Sequence, residues 1–168
     1  MNFNIKPSKR AAQNASESVG KHSHLPVNIL LKTGSKMPSY ALAHCSGVDL
    51  CASLHEPVVL PVGQRHLVPT GVLMAIPEGY EAQIRSRSGM ALNHGVVVLN
   101  SPGTIDAGYR GEIKVLLINL GQESFVIEPG ARVAQCIFAP IARVNFQVVQ
   151  NLDASERNQG GFGSTGMH

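Results

Sequence analysis

The chain has no tryptophan, only 5% aromatic residues and only 15% charged residues. With so few charges it is not a solvated, disordered chain, and a formal net charge of +3 is too small for the dense basic face that duplex DNA requires. Its three cysteines, Cys45, Cys51 and Cys136, are odd in number and lack a CxxC spacing, which excludes a disulfide framework. Cys45 and Cys51 with His44 and His55 match no usual zinc spacing, and no histidine lies in an HExxH motif. No apolar run approaches the roughly 18 residues of a membrane span, and the N-terminus lacks the apolar core of a signal peptide. These gaps point to a cytoplasmic protein with reduced thiols that binds neither nucleic acid nor membrane. The mild positive excess suits a small anionic substrate.

What is present in quantity is turn chemistry, with 17 glycines and 10 prolines in 168 residues that are 43% hydrophobic. Such a length most simply makes one domain with a real core. From Leu25 onward, short apolar runs recur every 8–12 residues or so between Gly/Pro signals, as expected for a sandwich or jelly-roll barrel. The runs are Val27–Leu31, Val48–Ala52, Val58–Leu60, His66–Val68, Val72–Ile76, Tyr80–Arg85, Val96–Leu99, Ile113–Leu120, Ser124–Ile127, Arg132–Ala139 and Val144–Val149. Pro69-Thr70-Gly71 reads as a turn between two of them. One short helix is expected, Ser88–His94, with Ser88 as N-cap and Gly95 as terminator. Residues 1–24, with Lys6, Lys9, Arg10 and Lys21, read as a disordered arm; Glu17 and the absence of amphipathic periodicity weigh against a transit peptide. The strand pattern fills residues 25–150, and residues 151–168 read as a flexible arm.

Five segments carry chemistry. Gly103–Ile113 puts Asp106 and Tyr109 on a glycine-bracketed turn between Val96–Leu99 and Val115–Ile118. A hairpin tip needs the glycines but not the acid and the ring. Arg85–Gly89 leads into the short helix, whose free N–H groups and Arg87 suit an anion. Asp49 is an acid in an apolar strand, either a holder of a water on Mg²⁺ or a plain turn carboxylate. Gln135, on a strand where Arg132 and Ala134 should share one face, is either structural or a substrate contact. Arg157–Gly166 holds four glycines around Phe162 and Ser164, a composition that can wrap phosphate while the ring stacks on a base.

In order, Ser46–Ala52, Arg87–Ala91, Gly103–Glu112, Arg132–Gln135 and Arg157–Gly166 resemble the five motifs of the trimeric dUTP pyrophosphatase (dUTPase) family, over roughly Leu25 to Gly166. Ser46, Ser86 and Met90 stand where Ala, Pro and Leu are usual. The resemblance implies an all-β, jelly-roll-like barrel subunit of the β-clip type with one short helix. It also implies a homotrimer with an exchanged C-terminal arm and active sites between subunits. The implied reaction is hydrolysis of dUTP to dUMP and pyrophosphate with Mg²⁺, which lowers dUTP and supplies dUMP for dTMP synthesis. Asp106 corresponds to the general base and Tyr109 to the ring beneath the deoxyribose. Arg87, Ser88 and Gly89 correspond to the phosphate turn, and Asn100, Thr104 and Ile105 to the uracil reader. Lys114 corresponds to a residue near the pyrimidine, Gln135 to an amide on phosphate and water, and Asp49 to an acid near the metal's waters. Arg157, Phe162, Gly163 and Ser164 belong to an arm closing over the nucleotide. A deaminase of dCTP on the same fold would need an acid aimed at the pyrimidine C4. Glu112 follows the tyrosine turn and Glu81 lies in the phosphate-side strand, so neither offers it. A non-enzymatic module would be expected to have lost the base or the arm, and both are present.

Overall fold

The computed structural model describes residues 24–160. Ten strands and one helix follow in chain order: β1 Asn28–Leu31, β2 Val48–Cys51, β3 Val58–Leu60, β4 Arg65–Ala75, β5 Tyr80–Arg85, α1 Ser88–His94, β6 Val96–Val98, β7 Gly103–Ile105, β8 Ile113–Asn119, β9 Phe125–Ile127 and β10 Arg132–Pro140. They form two four-stranded sheets, β1-β4-β8-β6 and β2-β10-β5-β7, and a two-stranded ribbon, β3-β9. All the pairings are antiparallel.

The period-2 pattern explains the layers. In β8, Ile113, Val115, Leu117 and Asn119 are buried, while Lys114 is exposed and Leu116 and Ile118 are half-buried. One buried cluster draws Leu50 and Cys136 from the second sheet, Val68, Val72, Val115 and Leu117 from the first, and Leu60 and Ile127 from the ribbon. Asn119, the least exposed polar residue among the described residues, donates to Leu60 O (2.9 Å) and Glu123 O (2.8 Å) and accepts from Gly121 N–H. Its capacity is therefore used, as burial demands.

The structure corrects the expected closed jelly-roll barrel. The described residues are all-β with one short helix, but the ladders do not run on around a barrel. Each four-stranded sheet stops at short outer strands, β1 and β6 in one and β2 and β7 in the other, and no ladder joins the two sheets. Closure needs continuous pairing with a fixed stagger. Here strands of three or four residues end each ladder instead, a common way of blunting an edge.

Three local differences matter for the site. Pro69-Thr70-Gly71 is a bulge inside one eleven-residue strand rather than a turn between two. Val144–Val149, expected as a strand, is exposed and unpaired, with Val144, Phe146 and Val148 all bare. Gly103–Ile105 is not the leading half of a simple hairpin. β6 and β8 do pair, but the chain between them crosses to the other sheet, where β7 pairs with β5.

Candidate active site

β7 aims the chemistry of the third motif. Gly103 is opposite Ile84, Thr104 opposite Gln83 and Ile105 opposite Ala82, so Asp106 leaves the sheet at the Glu81 end of β5. The turn that follows is tight. Tyr109 N–H donates to Asp106 O (3.0 Å), and Arg110 Nη1 donates to Ala107 O (2.6 Å) and Tyr109 O (2.8 Å). The Tyr109 hydroxyl donates to Glu112 O (3.0 Å), which lays the ring over Gly111 so closely that any β-carbon at 111 would overlap it. Asp106 is exposed, and among the described residues its carboxylate has no ion-pair partner. Thr104, Ile105, Asp106, Tyr109 and Lys114 line one cavity of about 510 Å³. All five are residues that the sequence singles out.

Leu67 and Glu112 line the same cavity without having been assigned to it. Glu112 carried a signal, since it sits within the motif. Leu67 carried none, because only the β4–β8 register, with Leu67 opposite Leu116, brings it there. Burial pushes the Glu112 carboxyl up. The Lys32 ammonium, the Gly71 N–H and the charge of Lys114 outweigh that and hold it below the usual carboxylate value. Asn100 lies outside this lining; its amide stands against Gly103, where a β-carbon would crowd it.

The second cluster lies at the other end of the sheet. Gln135 is opposite Asp49 on one side and Arg85 on the other. A register slip between Arg132 and Ala134 breaks the expected alternation, so that Val133 and Ala134 are both buried. The Asp49 carboxylate is nearly buried between two guanidiniums. Arg132 Nη1 donates to Oδ2 at 3.1 Å, and Arg87 Nε lies 3.6 Å from Oδ1. Arg87 Nη1 donates to Arg132 O (2.9 Å), while its buried Nε has no hydrogen-bond partner among the described residues. Two cations to one anion leave this corner positive.

Arg87, not Ser88, is the N-cap of α1, and no side chain caps the helix. The Ser88 hydroxyl and the first-turn N–H groups therefore remain available to a ligand. The Ser86 hydroxyl accepts from Val98 N–H (2.8 Å) and ties the loop to β6. Gly95 ends the helix in the left-handed region at φ 66°, its N–H donating to Ala91 O. Arg87, Gly89 and Arg132 line a cavity of about 380 Å³ together with Asn93, His94 and Phe125. A further cavity of about 510 Å³, past the helix C-terminus beside Leu92, Gln122 and Glu123, contains none of the singled-out residues.

The two functional clusters share no lining residue. Asp106 emerges by Glu81 and Gln135 pairs with Arg85, four residues further along β5 and on its opposite side. At about 3.3 Å per residue and about 4.8 Å per strand, that is roughly 16 Å of separation. Arg157 is in neither cluster; its Nε donates to Gly160 O (2.9 Å) within a local turn. Phe162, Gly163 and Ser164 lie outside the described residues, as do all but the last residue of the expected N-terminal arm.

A family model described as dUTPase matches residues 33–166. The deoxyuridine 5'-triphosphate nucleotidohydrolase of Chlamydia muridarum (strain MoPn / Nigg) is 51% identical over 137 residues, covering 81% of this chain and 94% of that protein. That of Rickettsia felis (strain ATCC VR-1525 / URRWXCal2) is 53% identical over 131 residues, covering 78% and 88%. Among solved structures, the Staphylococcus bacteriophage 80alpha dUTPase with dUPNHPP superposes with a TM-score of 0.76 at 28% identity, covering 84% of this chain and 98% of that one.

Proposed function

The chain belongs to the dUTPase family and hydrolyses dUTP to dUMP and pyrophosphate, and we propose that it does so at sites completed between the subunits of a homotrimer. The observation that carries this reading is the separation of the two clusters. On one subunit the backbone positions of Asp106 and Gln135 lie roughly 16 Å apart, far beyond the hydrogen-bond reach that a general base needs. A neighbouring copy can bring the two together. The outer row of the first sheet, with Leu67 exposed at the Asp106 cavity and Leu99 exposed just past β6, is apolar enough to be covered by one.

Asp106 is the general base, and its unpaired carboxylate takes a proton from the attacking water, a contribution of about 10²–10⁴ in rate. Tyr109, pinned through its hydroxyl, packs against C2′ and leaves no room for a ribose hydroxyl. β7 is an outer strand of its sheet, so the N–H and C=O groups of its outer edge are free of the ladder. Around Thr104 and Ile105, these fixed groups read the acceptor–donor–acceptor edge of uracil, with Lys114 and the Asn100 amide beside them. The other face of the site is Arg87, Ser88, Gly89 and Gln135, which grip the triphosphate of a nucleotide whose base sits in the partner's cavity. Glu112 does not serve as a deaminase acid, since both its oxygens are engaged.

Among the described residues no group of three or more ligating side chains could cage a metal. The donor set fits an ion carried on the triphosphate with its own waters, one of which could donate to Asp49 Oδ1, an atom free of hydrogen bonds among the described residues. When bound there, Mg²⁺ would neutralise charge growing on the leaving pyrophosphate. Residues 151–168 form an arm beyond the 25–150 body and close over the nucleotide with Arg157, Phe162, Gly163 and Ser164. Among the described residues no helix is long and apolar enough to cross a membrane. Three free cysteines suit the reducing cytoplasm, where we place the enzyme.

Pyrophosphate release measured with dUTP, dTTP, dCTP and UTP tests the reading. Turnover should be confined to dUTP. Asp106→Asn should still bind a non-hydrolysable dUTP analogue while losing about 10²-fold or more in kcat; an active Asp106→Asn enzyme would remove the base from this mechanism.

A further inference from the structure

The turn that carries Tyr109 is exposed and rich in glycine, and the hydrogen bonds within it from Tyr109 N–H and Arg110 do not tie it to the body. Its C-terminal end is nevertheless strapped to the body at one residue. Glu112 Oε2 accepts from Lys32 Nζ at 2.6 Å, and Oε1 accepts from Gly71 N–H at 2.8 Å. Only 11% of the Glu112 side chain is exposed, whereas the Lys32 side chain is 55% exposed, so the bond from Gly71 N–H is the shielded half of this strap and the ion pair the wetter half. Gly71 is itself fixed. It sits in the β4 bulge at φ +67°, its carbonyl accepts from Lys32 N–H (2.8 Å), and any side chain there would run into Ser35. The neighbouring Thr70 hydroxyl donates to Ile113 O (2.6 Å), which anchors the residue after Glu112 to the same bulge. The backbone carbonyl of Glu112 in turn accepts from the Tyr109 hydroxyl.

We propose that Glu112 is a positioning residue for sugar selection: its carboxylate clamps the tyrosine turn between Lys32 and the β4 bulge, and its carbonyl then fixes where the Tyr109 ring stands. The inference rests on the reading of Tyr109 as the wall against C2′. A sugar wall discriminates only while it is stiff, because a 2′-hydroxyl asks for about one ångström of retreat and misplacements of that size are worth about 10²-fold. The bulge supplies the stiffness, and Glu112 carries it to the ring. Substrate does not need to touch either Lys32 or Gly71 for this to work.

The test compares kcat/KM for dUTP and for UTP in Glu112→Ala, Glu112→Gln, Lys32→Met and Tyr109→Ala. Glu112→Ala should lower the dUTP/UTP ratio by about tenfold. Glu112→Gln, which keeps an acceptor for Gly71 N–H, should lower it less, and Lys32→Met should resemble Glu112→Gln. Adding Glu112→Ala to Tyr109→Ala should relax the ratio no further, because both changes act through one ring. If Glu112→Ala and Lys32→Met slow both substrates alike while Tyr109→Ala relaxes the ratio, Glu112 is merely structural; the inference falls and the role of Tyr109 stands. If Tyr109→Ala itself leaves the ratio unchanged, the sugar-wall reading falls and takes the inference with it. Should Glu112→Ala fail to fold, the Glu112→Gln and Lys32→Met ratios decide alone, and wild-type ratios in both overturn the inference.

Discussion

Glu112 shows how much one side chain in this site depends on its surroundings. Burial raises its carboxyl, and Lys32, the Gly71 N–H and Lys114 lower it further than burial raises it. A carboxyl lowered on folding binds fewer protons in the folded state than in the unfolded one. Its stabilising effect is therefore present at neutral pH and is lost as pH falls through the folded-state value. The thermal midpoint of the wild type should exceed that of Glu112→Gln at pH 7, and the gap should close in acid, below the ordinary carboxylate range; a gap independent of pH would show that the charge does not matter. Cys136 is the opposite case. Burial pushes its thiol up to about 12, so it stays protonated, and thiol reagents should modify it far more slowly than Cys45 or Cys51.

At the scale of elements, the period-2 runs located most strands because half-buried strands advertise their inner face. β3, β5 and α1 lie where the sequence puts them. The misreadings share one cause, that pairing is not written locally. Pro69-Thr70-Gly71 has the composition of a turn, yet β8 on one side carries the ladder past it and makes it a bulge. Gly103–Ile105 is too short and too glycine-rich to look like a strand, and only β5 makes it one. Asp106 and Tyr109 were legible because their residue types are unnecessary at a tip, whereas Lys32 and Leu67 reach the site through register alone. The bulge reading has a consequence. Gly71→Ala combines a positive φ with an occupied space, so it should cost about 1–3 kcal/mol in urea unfolding. A neutral Gly71→Ala would mean that the bulge relaxes freely. The C-terminal stretch behaves differently, because residues 142–152 are exposed with no backbone hydrogen bond to the body among the described residues. Deleting 151–168 should leave the thermal midpoint of the body close to wild type while abolishing most turnover of dUTP. Undiminished turnover would rule out the closing arm.

For the whole molecule, the chain has the appearance of a sandwich with unfinished business at both ends of one sheet. Its charge-poor composition leaves apolar rows such as Leu67 and Leu99, and Val144, Phe146 and Val148 beyond the last strand, in solvent. In the proposed trimer, a second and third copy cover such surfaces and bring an Asp106 cavity against an Arg87 corner. The most direct test is complementation between two dead variants, Asp106→Asn and Arg87→Ala, co-expressed with different tags and purified through both. If each site takes its base from one chain and its phosphate grip from another, mixed trimers that carry both tags each contain one site in about three with both groups intact. They should recover dUTP hydrolysis well above either variant alone. If instead every chain carries its own complete site, no intact site can form by mixing, and activity no greater than that of the separate variants would contradict the account.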